Sequence, residues 1–313
     1  MSLGRVAFLL IPQMSYWYSK LLFNSASTKK DHKRTLSRLM IDGHAIEKGL
    51  TMPEMRLGFG YELVRLMIKN CGDAIACGAS DTVEVQSALN DLEQYYLLHE
   101  REKFDLPEDI ADGIRALLKY KTMTASPCFE TTSEDYFKTT RDFSEMAHQR
   151  HSVRWYSDEP VDQETLVKAL QLAQTAPSAC NRQSVKVHVI ASEDKKKEVL
   201  KLQNGNRGFG DRADKILLVT SDLRYWAYDV GEMAYIDGGI FIMNLLYALH
   251  YYKINACTLN ARMKISNRRK LAKIVGMEPS EIPVAFILVG RAPESFKIAG
   301  SQRLNVEDIV DFV

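Results

Sequence analysis

No stretch of this sequence approaches the roughly 18 consecutive apolar residues that a membrane-spanning helix needs. The nearest, Val6-Ala-Phe-Leu-Leu-Ile11, is cut by Pro12 and followed by Gln13, Ser15 and Lys20. It also lacks a small-residue cleavage site, so no signal peptide is expected. Tyr16-Trp17-Tyr18 with Leu21-Leu22-Phe23 would suit a membrane interface, which makes peripheral contact by residues 6–23 one reading; a helix packed on its own domain or on a partner is the preferred one. Cysteine is sparse. Cys71, Cys77, Cys128, Cys180 and Cys257 are odd in number and contain no C-x-x-C pair, which argues against a disulfide scaffold or a zinc knuckle and fits a reducing cytoplasm. An excess of one charge is missing too: Lys+Arg 41 against Asp+Glu 40 leaves +1. The whole-molecule basic field of a nonspecific nucleic-acid binder is therefore absent, and no nucleic-acid partner is expected. There is no G-x-S-x-G elbow to name an acyl-transfer nucleophile, and neither a G-x-x-x-x-G-K-[ST] nor a G-x-G-x-x-G phosphate loop. Gly58-Phe-Gly60 and Gly208-Phe-Gly210 are too short to replace one. No repeat period is evident.

What is present is an ordinary globular composition, 46% hydrophobic and 26% charged over 313 residues, enough for one large domain or two smaller ones. The first half reads as helices. Val85, Ala88, Leu89, Leu92, Tyr95 and Tyr96 recur on one face of 80–98, with Ser80 or Asp81 as the cap. Pro107 suits the first turn of a helix over 105–123 with Ile110, Ile114, Leu117 and Leu118 as its stripe. Segments 31–48 and 56–70 are similar, and the Ser/Thr/Pro-rich stretch 124–133 reads as a linker. After about residue 148 the texture changes. Asp162 caps a helix bearing Leu166, Leu170 and Ala173; Val185, Val187 and Val189 alternate as a strand. Ile216–Val219 and Ala285–Val289 are short apolar runs of the kind seen in strands buried on both faces. Between them Tyr225–Tyr252 reads as a long apolar helix containing Asp237-Gly238-Gly239. Helix and strand alternating in this order predict an α+β or α/β core, with the domain boundary near 135–148.

Chemistry concentrates in few places. His44 and Glu47 share one helix face at i, i+3 and would be half of a metal site, but no second such pair exists; a buried polar contact is the plainer reading, and no metal is expected. Arg150-His151-Ser152-Val153-Arg154 sets two guanidiniums around a hydroxyl, just before a turn-rich stretch. That is a good seat for a phosphate and a nearby anionic ring, although such clusters are usually solvated faces. A second element, Ala176-Pro177-Ser178-Ala179-Cys180-Asn181-Arg182-Gln183, runs from a helix end into the Val185 strand. Its small side chains would admit a flat ligand, with Ser178 and Asn181 as polar contacts.

With these two motifs in this order, joined by a helix, the sequence resembles the nitroreductase family of FMN flavoproteins over roughly 148–313. Asp237-Gly238 and Asn244-Leu245 look like that family's central helix, Cys257-Thr258-Leu259-Asn260-Ala261 falls where it sets backbone against the flavin, and Arg303 matches a terminal phosphate-binding arginine. The resemblance implies a three-layer α+β core, a central mixed sheet flanked by helices, as an FMN-binding domain over 148–313. Residues 1–140 would be an all-helical extension of unassigned role, either packing on the dimer or acting as a lid or docking surface. It implies FMN as the bound cofactor and NAD(P)H as donor. A homodimer would hold the flavin at its interface. Arg150, Ser152 and Arg303 would hold the phosphate, with His151 beside them. Arg154 would sit at the N1/O2 edge, where positive charge favours the anionic reduced ring. Pro177, Ser178, Ala179 and Asn181 would line the isoalloxazine. A backbone N–H near Leu259, Asn260 or Ala261 would meet N5. No catalytic side chain is implied, because the cofactor carries the chemistry.

The activity implied is a ping-pong reduction of an electron-poor acceptor, nitroaromatic- or quinone-like, by hydride transfer through N5. A flavin-dependent dehydrogenase, dehalogenase or flavin-consuming oxygenase on the same scaffold remains open, as does a non-catalytic flavin-binding regulator. Three departures from the family pattern bear on affinity: Ser184-Val185 where relatives have Pro and an aromatic, Ser301 where some have a basic residue, and the absence of further flavin contacts around Gly208-Phe-Gly210.

Overall fold

Among the described residues, four helices, each with an apolar stripe, belong to the first of two units in the computed structural model, which describes residues 32–124, 127–138, 142–226 and 232–313. The segment 6–23 lies outside the described residues. The first unit takes the chain to Thr51, Met55–Phe129 and Ala299–Val313; the second takes Met52–Glu54 and Glu130–Ile298.

In the first unit the helices are α1 His32–Leu50, α2 Tyr61–Ala76, α3 Val83–Arg101 and α4 Glu108–Leu118. Thr82, one residue beyond the expected caps, is the N-cap of α3, its hydroxyl accepting from the Val85 N–H at 3.4 Å. Pro107 precedes α4, and Glu108 and Asp109 favour its amino end. Leu39, Ile46, Met67, Leu89, Tyr95 and Ile114 interlock as the core. The closing segment of the chain joins this unit: the Ser301 N–H donates to Glu47 at 3.1 Å.

The second unit contains a single turn, α5 Ser133–Tyr136, then α6 Phe143–Gln149. There follows the alternation read from the sequence: α7 Gln163–Ala173, β2 Val185–Ile190, α8 Glu193–Leu202, β3 Lys215–Asp222, α9 Met233–Tyr251, β4 Ile254–Asn260, α10 Ile265–Val275 and β5 Glu281–Arg291. The Asp162 carboxylate does cap α7, accepting from Thr165 at 2.7 Å. Two short strands complete the set, β1 Cys128–Thr132 and β6 Ser295–Ala299, paired as a ribbon. β1 forms within the expected linker, because its backbone finds β6 far away in sequence.

The main sheet has the order β2-β3-β5-β4. Its three pairings are antiparallel, in registers such as Val187↔Val219, Leu217↔Ile287 and Leu259↔Phe286. The layered α+β core is as expected; the mixed strand directions are corrected. The apolar runs on β3 and β5 come from cover on both faces rather than from parallel pairing. Leu217, Val219, Ile287 and Val289 pack with α7 and α9 on one face. Ile216, Leu218, Phe286 and Leu288 pack with α8, α10, Tyr156 and Phe209 on the other. Helix α9 presses closely on β5: a Cβ on Gly238 would lie 2.9 Å from Val284 Cγ2, so only glycine fits there without movement.

Candidate functional site

The Arg150–Arg154 segment follows the end of α6 as extended chain. The Val153 N–H donates to Ala256 of β4 at 2.9 Å. Asn255 Nδ2 donates to the Trp155 carbonyl at 3.0 Å, and the Tyr156 hydroxyl donates to Val153 and Leu288 carbonyls at 3.1 and 3.3 Å. Full burial pushes the Tyr156 phenol well above its ordinary pKa, so it stays a neutral donor.

This frame holds Arg154 only 6% exposed. Its Nη1 reaches the Ser152 carbonyl at 3.4 Å, its guanidinium lies over the Phe209 ring at 5.8 Å, and its Nε is buried with no hydrogen-bond partner. The Nε of half-buried Arg150 is likewise buried and unpartnered. No carboxylate among the described residues forms an ion pair with either arginine. His151 is positioned by backbone, its N–H donating to the Tyr136 hydroxyl at 3.0 Å and its Nδ1 lying 2.6 Å from the Gln149 carbonyl. Nearby His250, buried against Tyr136 and Phe137, is driven down to about 4 by burial and then by Arg150 and His151.

The candidate backbone at Leu259, Asn260 and Ala261 ends β4 on the same face. The Asn260 carbonyl accepts from Gln203 Nε2 at 3.1 Å, and its Oδ1 accepts from the Arg262 N–H at 3.0 Å. Asn206 Nδ2 donates to the Gln203 carbonyl at 2.7 Å. The loop carrying Phe209 is thereby stitched to the strand end, and the structure brings the 150–154 and 259–261 groups together through it. Gly210 belongs to this device, since a Cβ there would meet Asn206 Cβ at 2.8 Å. Sequence reading missed Gln203, Asn206 and Phe209; the signal available was three amides, Gln203, Asn204 and Asn206, between Leu202 and the Gly208-Phe209-Gly210 turn.

The Pro177–Asn181 turn belongs to the opposite face of the sheet. The Ala179 N–H donates to Asp237 Oδ2 at 3.0 Å, and Asp237 is buried in α9. Ser178 Oγ accepts from the Gln183 N–H at 3.0 Å, and Asn181 Oδ1 accepts from Gln183 Nε2 at 3.1 Å. A cavity of about 360 Å³ opens here, lined by Pro177, Ser178, Gln183, Asp237 and Phe241 among others, with none of the 150–154 or 259–261 groups. Its volume lies in the range of small-molecule sites.

Arg303 is exposed and belongs to the helical unit, its Nη1 donating to the Ser301 carbonyl at 2.6 Å. Ser301 itself donates to Glu47, and His44 Nδ1 lies 3.3 Å from the same carboxylate. Among the described residues no three His, Cys, Asp or Glu side chains converge as metal ligands. Ser184 is buried, its hydroxyl 2.8 Å from Ser221 Oγ and accepting from Trp226 Nε1 at 3.1 Å.

Comparison with known proteins gives the following similarities. Residues 147–206 match the model of the nitroreductase family. A Streptococcus pyogenes protein named as an NAD(P)H nitroreductase is 27% identical over 204 residues, 54% of this chain and 98% of that one. An FMN reductase [NAD(P)H] of Bacillus subtilis is 38% identical over 71 residues, 23% of this chain and 28% of that one. A nitroreductase of Exiguobacterium sibiricum solved in complex with FMN covers 55% of this chain and 97% of its own, at 22% identity and a TM-score of 0.49. A nitroreductase family protein of Streptococcus pneumoniae gives 23% identity and 0.48, covering 55% of this chain and 100% of its own. No helix among the described residues is long and apolar enough to cross a membrane.

Proposed function

We propose that this chain, whose residues 147–206 are of the nitroreductase family, is a cytoplasmic FMN-dependent oxidoreductase that uses NAD(P)H to reduce a nitroaromatic- or quinone-like acceptor. The observation that carries the reading is Arg154: a guanidinium held 6% exposed, with an unpartnered Nε and, among the described residues, no ion pair with a carboxylate. An unpaired buried cation is costly, and an anionic ligand removes that cost. FMN offers a phosphate and an electron-accepting ring that becomes anionic, so the residues present fit it. When bound, it supplies the two-electron transfer at N5, in a ping-pong order between donor and acceptor.

The rest of the work falls to the chain. Arg150 and Ser152 would bind phosphate, with His151 ordering the backbone between them; Arg303 belongs to the helical unit and is left out of this site. Arg154 would hold the ring side of the flavin, its positive charge favouring the reduced anion. The Leu259–Ala261 backbone, held by Gln203, would bind the ring as well. Pro177, Ser178, Ala179 and Asn181 wall the ring and exclude water. In one protomer this wall lies across the sheet from Arg154, which supports a site completed by a second copy. A homodimer is further supported by α9, which exposes Tyr235, Ile236, Ile240 and Met243; a helix apolar on all sides is normally buried. The FMN-binding part would lie within 148–313, of which Ala299–Val313 falls in the helical unit, and the four described helices between His32 and Leu118 would be an extension to it.

Purified protein is expected to be yellow and to release FMN on denaturation, and to oxidise NADH or NADPH faster when a nitroaromatic is added. Colourless protein that takes up no added FMN overturns the reading.

A further inference from the structure

Charge is balanced over the chain as a whole, yet Arg262, Lys264, Arg268, Arg269, Lys270 and Lys273 follow one another with no acidic residue among them. All six are exposed, and among the described residues none of them forms an ion pair. Arg207, on the loop between α8 and β3, is exposed and unpaired as well. These cations are not scattered. The Arg207 loop is tied to the end of β4 by Gln203 Nε2 on the Asn260 carbonyl at 3.1 Å, and the Arg262 N–H is held by Asn260 Oδ1 at 3.0 Å. Arg207 and the pair Arg262 and Lys264 are therefore carried on two chain segments that both hydrogen-bond to Asn260. Like charges gathered in this way repel one another and raise the local potential. Among the described residues none of them forms an ion pair with a carboxylate, whereas Arg212, Arg224 and Arg291 of the same unit do.

We propose that the surface formed by Arg207, Arg262 and Lys264 binds the 2′-phosphate of a nicotinamide dinucleotide, so that NADPH is preferred over NADH. This rests on the oxidoreductase reading above, in which the donor must approach the Asn260–Ala261 edge. NADPH differs from NADH by one phosphate ester, the group that guanidinium and ammonium donors recognise. In that reading the FMN phosphate has its own cation in Arg150. The more distant Lys270 and Lys273, near the carboxyl end of α10, lie outside the proposed contact.

The test measures binding of adenosine 2′,5′-bisphosphate and of 5′-AMP to the full chain as purified, alongside kcat/KM for NADPH and NADH. The wild type should bind the bisphosphate at least tenfold tighter than 5′-AMP and show a comparable NADPH:NADH ratio. Arg262→Ala combined with Lys264→Ala should lower both ratios about tenfold, and Lys270→Ala combined with Lys273→Ala should leave both ratios in place. A wild-type ratio near one, or equal ratios in the Arg262/Lys264 variant and the wild type, overturns the proposal. Flavin absorbance and its bleaching by NADH in the same samples keep the two readings apart. Bound, NADH-reducible flavin with a bisphosphate ratio near one removes only the donor preference. Protein without flavin removes the oxidoreductase reading, and the bisphosphate measurement still reports on the phosphate site.

Discussion

At the scale of single residues, two buried bases have opposite relations to charge. Arg154 is fixed as a cation, so its burial without a counterion must lower the stability of the ligand-free fold. Arg154→Met keeps a similar reach over Phe209 and removes the charge. The ligand-free variant should melt higher than ligand-free wild type, and FMN affinity should fall by tenfold or more; scanning calorimetry and flavin titration measure the two. A lower melting point with unchanged flavin affinity would mean that Arg154 is structural. His250 avoids the problem by staying neutral, held down to about 4 by burial and by Arg150 and His151. Its unfolded pKa is near 6.5, so the unfolded chain binds the extra proton first as pH falls. The stability associated with neutral His250 is full above about 6.5 and declines as pH drops toward 4. Between pH 7 and 5 this one group should cost about 2 kcal/mol. Urea unfolding at the two pH values checks it: His250→Leu, which keeps an apolar contact with Tyr136 and Phe137, should remove most of that difference.

At the scale of elements, the legible features were those that neighbouring residues decide. Asp162 followed by Leu166, Leu170 and Ala173 announces α7 because cap and stripe lie within one helix. Val185, Val187 and Val189 announce β2 by alternation. The runs in β3 and β5 announced burial on both faces, but burial carries no strand direction, and the antiparallel order had to be seen. β1 was hidden for a related reason: Cys128–Thr132 has the composition of a linker and becomes a strand only against Ser295–Ala299. The candidate site divides in the same way. Arg150–Arg154 and Ala176–Gln183 are contiguous and could be read directly. The bonds that set their geometry, Asp237 to Ala179 and Gln203 to Asn260, join residues more than fifty positions apart, and no local pattern foretells them. Hydrophobic periodicity likewise cannot place Arg303 with the helical unit rather than with Arg150.

At the scale of the whole molecule, a net charge of +1 conceals an uneven distribution of charged and apolar surface. Cations collect along 262–273, while α9 presents Ile236, Ile240 and Met243 at i, i+4 and i+7, all exposed in the protomer. Among the described residues no element of its own unit covers this stripe, and under the proposed function a second copy would cover it and complete the candidate site that lies on both faces of the sheet. Ile236→Lys combined with Ile240→Lys tests both points together, because these side chains are already exposed and the fold of one protomer does not depend on them. Wild type should scatter light with twice the 35.6 kDa chain mass, and the double variant should scatter as a single chain with its circular dichroism retained. If Pro177–Asn181 of one copy walls the ring held by Arg150 and Arg154 of another, the single-chain variant should also lose FMN, although both of its arginines are intact. A wild-type monomer that binds FMN, or a monomeric variant that keeps it, would place the whole site within one chain.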